Sequence, residues 1–117
     1  MKKIAMIVAG LGMGLAAHAA TTPQYPGGET AMNTYITENL KYPATAQANG
    51  IEGAVDVAFT VKADGSIGAI KIVRMVDPDL EAEAIRLVKS MPAWIPADKN
   101  GTPVDAQTQV KINFELP

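Results

Sequence analysis

The side chains in this sequence with the clearest capacity for chemistry are its twelve carboxylates. The chain contains no cysteine, and its one histidine, His18, lies in the N-terminal leader described below. Zinc binding, Cys–His catalysis and Ser–His–Asp catalysis each need a thiolate or an imidazole, so the sequence argues against all three. Carboxylate pairs alone can hydrolyse glycosides, but these acids fall in a predicted turn, in the first turns of predicted helices and on polar strand faces. A solvated role explains those positions, and we expect no catalysis, no cofactor and no small-molecule substrate.

Residues 1–20 have the pattern of a secretory signal peptide. Lys2 and Lys3 form a basic start, Ile4–Ala17 is apolar and rich in glycine and alanine, and Ala17-His18-Ala19 has the small-x-small form of a cleavage site. The apolar stretch is shorter than the roughly 20 residues that span a bilayer. We therefore expect a periplasmic protein, and an uncleaved segment that anchors it in the inner membrane is the alternative.

The rest of the chain, residues 21–117, has the size of one small domain. Without Lys2 and Lys3 it carries eight basic residues against twelve acidic ones. Phosphate contacts need clustered lysine and arginine, so we expect no binding to nucleic acid.

The first half of this domain predicts two helices and a β-hairpin. Residues 21–28 are an extended lead-in, and Thr30–Leu40 has helical spacing with Thr30 as its N-cap. A short helix is predicted over Pro43–Ala48, because proline suits a first helical turn. Ala54–Val61 alternates as a half-buried strand does, and Asp64-Gly65 turns the chain into Ile67–Met75. Ile67 is out of phase with the later isoleucines of that strand, which indicates a β-bulge near Gly68.

The second half predicts one strong helix and one long strand. Asp77 and Pro78 begin the helix, its apolar stripe runs from Leu80 to Met91, and Pro92 ends it. Asp79, Glu81 and Glu83 are placed to favour the positive end of the helix dipole, and Arg86 and Lys89 the negative end. The segment around Trp94, Pro96 and Asn100-Gly101 is predicted to be an irregular connection, with Trp94 closing one side of the core. Val104–Leu116 alternates as a strand with one apolar and one polar face. The methionines Met32, Met75 and Met91 are predicted to fill the core.

The element order α-α-β-β-α-β predicts an α+β fold in which helices pack on a three-stranded antiparallel sheet in two layers. Residues 29–117 would form this domain.

Eight short motifs follow one another in a characteristic order along this domain. The motifs are Tyr42-Pro43, Ala44-x-Ala46, Gly50-Ile51-Glu52-Gly53, Val55-x-Val57-x-Phe59-x-Val61, Asp64-Gly65, Glu83-Ala84, Met91-Pro92-x-Trp94-x-Pro96-Ala97 and Gly101-x-Pro103-Val104. Their joint order over about residues 40–116 resembles the C-terminal domain of TonB-family proteins. The upstream Tyr25-Pro26-Gly27-Gly28 and Tyr35-Ile36 look like the extended version common in Bacteroidetes-type members.

The resemblance implies a periplasmic module that recognises TonB-dependent outer-membrane transporters in energy-coupled transport. In the family, an N-terminal segment of the transporter pairs with the last strand of the domain by β-strand addition. The residues before the Tyr-Pro also contact transporters. The corresponding strand residues here are Ala106, Gln107, Thr108, Gln109, Val110, Lys111, Ile112, Asn113 and Phe114. The corresponding segment is Asn39, Leu40, Lys41, Tyr42 and Pro43.

The chain departs from the family pattern in two ways. Proteobacterial members carry Gln-Pro-Gln ahead of the Tyr-Pro, and here Asn39-Leu40-Lys41 stands there. The sequence also shows no membrane helix and no proline-rich arm, so we expect a stand-alone module rather than a complete transducer. The alternative function is structural: a homodimer, or an envelope regulator, that pairs with itself through the last strand. The sequence supports two roles for Tyr42 equally: a structural role, with the ring packed and the hydroxyl in water, and direct contact with a partner.

Overall fold

The computed structural model describes residues 21–117. The predicted signal peptide, residues 1–20, lies outside the described residues. The described chain forms three helices and five strands. In order they are α1 Gly28–Asn39, α2 Ala44–Ala48, β1 Gly53–Val61, β2 Ile67–Arg74, α3 Pro78–Lys89, β3 Ala97–Lys99, β4 Thr102–Val104 and β5 Ala106–Phe114. The predicted α+β class is confirmed.

A three-stranded antiparallel sheet organises the domain, with the strand order β2-β1-β5. The central strand β1 pairs with β5 over its whole length, from Gly53 opposite Phe114 to Val61 opposite Ala106. The strand β5 is therefore one edge of this sheet.

The strand β2 contains the bulge that the sequence predicts. Thr60 pairs with Gly68 but Ala58 pairs with Lys71, so one residue of β1 faces two residues of β2. Ala69 takes a positive φ of 51° at this point. The extra residue brings Ile67 into phase with the isoleucines that follow it, and these pack against the core.

The helix α3 follows its predicted local signals closely. The Asp77 side chain accepts hydrogen bonds from the N–H groups of Asp79 and Leu80, and Pro78 occupies the first turn. A cap of this kind stabilises a helix by about 1 kcal/mol. The apolar stripe packs on the inner face of the sheet, and the fully buried side chains there include Leu80, Leu87, Val88, Val55, Val57, Phe59, Val61 and Ile112.

Trp94 closes the core, as predicted. Only 5% of its surface is exposed, and its ring meets Phe59 and Tyr25 edge-on at centroid distances of 5.2 and 5.8 Å. Perpendicular ring pairs of this kind add about 0.5–1.5 kcal/mol beyond the area they bury.

Four local predictions are wrong. The strand predicted over Val104–Leu116 is interrupted at Asp105, because Val104 pairs within the β3–β4 hairpin whereas β5 begins at Ala106 and ends at Phe114. The connection around Asn100-Gly101 is a hairpin of β3 and β4, because both residues take positive φ and close a two-residue turn. The helix α1 begins at Gly28, before Thr30, since Gly27 takes a φ of 89° and serves as the N-cap. Met75 is 81% exposed and does not fill the core.

Candidate partner-binding site

The edge strand β5 has two different faces. Val110, Ile112 and Phe114 are buried against the helices, and Ala106 and Thr108 are partly exposed on the same face. The side chains of the opposite face are exposed: Gln107, Gln109, Lys111 and Asn113. The side-chain alternation predicted from the sequence is confirmed along β5. One long side of the strand pairs with β1, and no strand of residues 21–117 pairs with the other side.

The direction of the backbone groups of β5 follows from the pairing register. The N–H of Lys62 donates to the carbonyl of Ser66 at 2.8 Å, so Lys62 directs its backbone towards β2. Backbone groups alternate in direction along a strand, which means that Val61, Val57 and the other odd-numbered residues of β1 face β5. They pair with the even-numbered residues of β5. The outward-facing backbone groups of β5 therefore belong to Gln107, Gln109, Lys111 and Asn113.

The segment 39–43 lies against the C-terminal end of β5. The rings of Tyr42 and Phe114 meet nearly perpendicularly, at 87° and with 5.7 Å between centroids. The Tyr42 hydroxyl donates to the carbonyl of Ile51, whereas one of the two alternatives from the sequence left it in water. Burial raises the pKa of Tyr42, and the carboxylates of Glu52 and Asp77 add to that shift.

The backbone of the same segment is bonded to two side chains of α3. Glu83 Oε2 accepts from the Lys41 N–H at 2.7 Å. Arg86 donates from Nε to Glu83 Oε1 and from Nη2 to Glu83 Oε2, each at 2.7 Å. The same Nη2 also donates to the carbonyl of Asn39 at 2.9 Å. Glu83 and Arg86 therefore bind the backbone on both sides of Leu40, where the chain leaves α1.

The structure thus brings together the two stretches that the resemblance selected. In the segment, Asn39 and Lys41 are exposed, whereas Leu40, Tyr42 and Pro43 are partly exposed. Tyr42 connects the segment to β5 through Phe114.

Sequence reasoning missed the part played by Glu83 and Arg86. It assigned Glu83 to the helix dipole, but the carboxylate lies beyond the first turn of α3 and only 8% of it is exposed. Burial raises the pKa of Glu83, and hydrogen bonds from Arg86 and the Lys41 N–H outweigh that effect and lower the pKa overall. The detectable signal was an acid beside the apolar stripe with an arginine three residues later.

A metal site and a membrane-spanning helix are both absent from residues 21–117. No group of three or more acidic, histidine or cysteine side chains there is arranged to hold a metal ion. No helix of this part of the chain combines the length and apolar character that crossing a bilayer requires.

The fold is shared with solved domains. An NMR structure of the Helicobacter pylori TonB C-terminal domain (residues 179–285) superposes with a TM-score of 0.58 at 32% identity, over 75% of this chain and 79% of that one. An NMR structure of the Pseudomonas aeruginosa TonB C-terminal domain gives 0.52 at 29% identity, over 65% and 77% of the two chains. No curated protein sequence matches the chain.

A family model provides the broader assignment. The model for the Gram-negative bacterial TonB protein C-terminal region matches residues 38–116, which contain both the edge strand and the segment before it. Domains of this family are associated with the cell envelope, and in TonB the domain binds outer-membrane transporters. The chain belongs to the TonB C-terminal domain family.

Proposed function

We propose that this protein recognises TonB-dependent outer-membrane transporters in the periplasm, by accepting an N-terminal segment of the transporter as an added strand beside β5. The observation that carries the proposal is the edge position of β5 together with the outward direction of the backbone groups of Gln107, Gln109, Lys111 and Asn113. A partner strand would extend the sheet from three strands to four.

Backbone pairing of this kind supports only a modest affinity. Each hydrogen bond contributes about 0.5–1.5 kcal/mol net, and association itself costs at least about 4 kcal/mol. The four outward-facing residues of β5 offer at most eight backbone groups, so we expect a Kd of about 1 micromolar or weaker. Such an affinity suits a transporter contact that must be released in each cycle of energy-coupled transport.

The segment 39–43 would contribute side chains to this contact. The Asn39 carbonyl and the Lys41 N–H are already bonded to Arg86 and Glu83. The side chain of Lys41 is exposed and that of Leu40 is partly exposed, so both would be accessible to a partner strand.

The alternative function uses the same edge. Proteins usually cover a long strand edge, and no other strand of residues 21–117 pairs with the outer side of β5. A second copy of the chain pairing through β5 would cover it and form a homodimer. Sedimentation at increasing protein concentration separates a self-paired dimer from a monomeric binder.

An NMR titration of the protein, purified from the periplasm of an expressing host, tests the proposal. The probes are peptides that match the N-terminal segments of TonB-dependent transporters encoded in the same genome. We expect shifts at residues 106–114 and 39–43. An absence of shifts at millimolar peptide, with slow tumbling of the free protein, favours the homodimer.

A matched pair of variants at Gln109 shows whether strand addition is the mode of binding. The N–H of Gln109 points away from β1, so Gln109→Pro removes a donor that only a partner uses. Gln109→Ala removes the side chain but keeps that donor. We expect the proline variant to fold and to lose about tenfold in peptide affinity, while the alanine variant binds like the unmodified protein. Equal binding by both variants contradicts strand addition at this position.

A further inference from the structure

The connection between α1 and α2 has no regular secondary structure of its own. Its first and last residues, Leu40 and Pro43, are extended, with φ and ψ of −67° and 130° and of −60° and 133°. An extended stretch between two helices has several conformations open to it, so its single arrangement here requires anchors. Tyr42 provides one of them through Phe114.

Glu83 and Arg86 provide the second anchor. Glu83 is 8% exposed, and an ionised carboxylate in such a place is costly unless donors surround it. Two donors come from Arg86 and one from the Lys41 N–H. The planar guanidinium fixes the carboxylate from two sides, and its Nη2 reaches the Asn39 carbonyl as well. The pair therefore fixes the backbone at both sides of Leu40.

We propose that Glu83, oriented by Arg86, is a positioning residue for partner recognition: it holds the 39–43 segment in place beside the Phe114 end of β5 before a partner strand arrives. This inference rests on the proposed function. Neither side chain has to touch the partner. Their effect on affinity comes from ordering the segment in advance, so that binding does not have to order it.

The first test measures the anchor without any partner. The variant Glu83→Gln keeps the size of the side chain but weakens its hydrogen bonds to Arg86 and to the Lys41 N–H. Glu38→Gln is the matched control, because Glu38 is exposed on α1 close to the same segment. We expect the Lys41 amide to exchange with solvent faster in Glu83→Gln and at the normal rate in Glu38→Gln. An unchanged rate in both variants overturns the proposal.

The second test measures the consequence for binding, with the transporter peptide that the unmodified protein binds. In Glu83→Gln we expect a Kd roughly three- to tenfold higher. Peptide-induced shifts should persist at residues 107–113 and shrink at residues 39–43, a pattern that general destabilisation would not produce. Glu38→Gln should bind normally, which excludes a long-range effect of lost negative charge.

The outcomes separate the positioning role from the proposed function. If the unmodified protein binds a peptide and Glu83→Gln binds it equally well, the positioning role is wrong and the proposed function stands. If the unmodified protein binds none of the peptides, the proposed function fails and the positioning role fails with it.

Variants at Arg86 cover the case in which Glu83→Gln does not fold. Arg86 is 42% exposed, so its replacement leaves no cavity in the core, and the Lys41 N–H still donates to the Glu83 carboxylate. Arg86→Gln removes the contact to Asn39 and should weaken peptide binding about threefold. Arg86→Lys keeps the positive charge but cannot donate from two nitrogens of a planar group to Glu83. Its peptide affinity should lie between that of Arg86→Gln and that of the unmodified protein. Normal binding by Arg86→Gln overturns the proposal.

Discussion

The ring of Tyr42 meets the ring of Phe114 edge to face, with 5.7 Å between their centroids. Tyr42 belongs to the connection between two helices and Phe114 is the last residue of the edge strand β5. This contact therefore joins the segment 39–43 to the edge strand β5, although the two are more than 60 positions apart in the sequence.

Substitutions at Tyr42 should separate the ring contact from the hydroxyl contact. Tyr42→Ala removes the ring from Phe114, and we expect the free energy of unfolding to fall by roughly 2–3 kcal/mol. Tyr42→Phe keeps the ring and removes only the hydrogen bond to the Ile51 carbonyl, which should cost about 1 kcal/mol. Urea denaturation measures both values. Equal losses in the two variants would show that the hydroxyl, and not the ring, stabilises the segment.

Amide exchange should alternate along β5. The N–H groups of Thr108, Val110 and Ile112 face β1, whereas those of Gln109 and Lys111 face outward. We expect slow exchange for the first set and fast exchange for the second, as measured by NMR in D2O. Slow exchange along the whole strand in the free protein would indicate that a second copy already covers the edge.

Much of this fold could be predicted because its signals are local. The cap at Asp77 and Pro78 begins a helix, and strict alternation along β5 defines which side chains are buried. The β3–β4 hairpin carried a local signal too, Asn100-Gly101, but its strands are only three residues long and do not show an alternating pattern.

The candidate site could be predicted only in part. Family resemblance selected β5 and the segment 39–43, whereas periodicity alone would have left the polar face of β5 as a solvated surface. The role of Glu83 depends on the backbone of Lys41, a neighbour that is 42 positions away and appears only in the folded chain. The prediction for Met75 was wrong because it follows the last residue of β2. The sequence pattern does not show at which residue a strand leaves the sheet, and an apolar side chain beyond that point is exposed.

Two glycines allow a direct comparison of backbone strain with steric contact. Gly65 and Gly101 have nearly equal φ angles of 88° and 83°. A Cβ on Gly65 would lie 2.5 Å from the backbone oxygen of Trp94, whereas a Cβ on Gly101 meets nothing within 4 Å. We expect Gly101→Ala to lower the free energy of unfolding by about 1–2 kcal/mol through strain alone. Gly65→Ala should cost about 1–3 kcal/mol more.

Urea denaturation of the two glycine variants measures this difference. Similar values for Gly65→Ala and Gly101→Ala would mean that the backbone near Trp94 moves away easily. In that case the hairpin loop would not be held against the segment around Trp94, despite the hydrogen bond from the Trp94 N–H to the Gly65 carbonyl at 2.9 Å.

Glu83 should make the stability of the domain depend on acid. Burial raises the pKa of Glu83, but hydrogen bonds from Arg86 and from the Lys41 N–H, together with the positive charges of these two residues, outweigh burial and lower the pKa below its ordinary value of 4.5. A carboxyl whose pKa is lower in the folded chain than in the unfolded chain stabilises the fold above the unfolded value. That stabilisation is lost as the pH falls from about 4.5 through the lower folded value.

Glu83→Gln should therefore be less stable than the unmodified protein at pH 7, and the difference between them should shrink as the pH falls below 4.5. Glu38→Gln is the control, and its difference from the unmodified protein should stay small throughout. Urea denaturation between pH 3 and pH 7 measures all three proteins. A difference between Glu83→Gln and the unmodified protein that stays constant across this range would mean that the ionised form of Glu83 does not hold the segment, and that the shape of its side chain is sufficient.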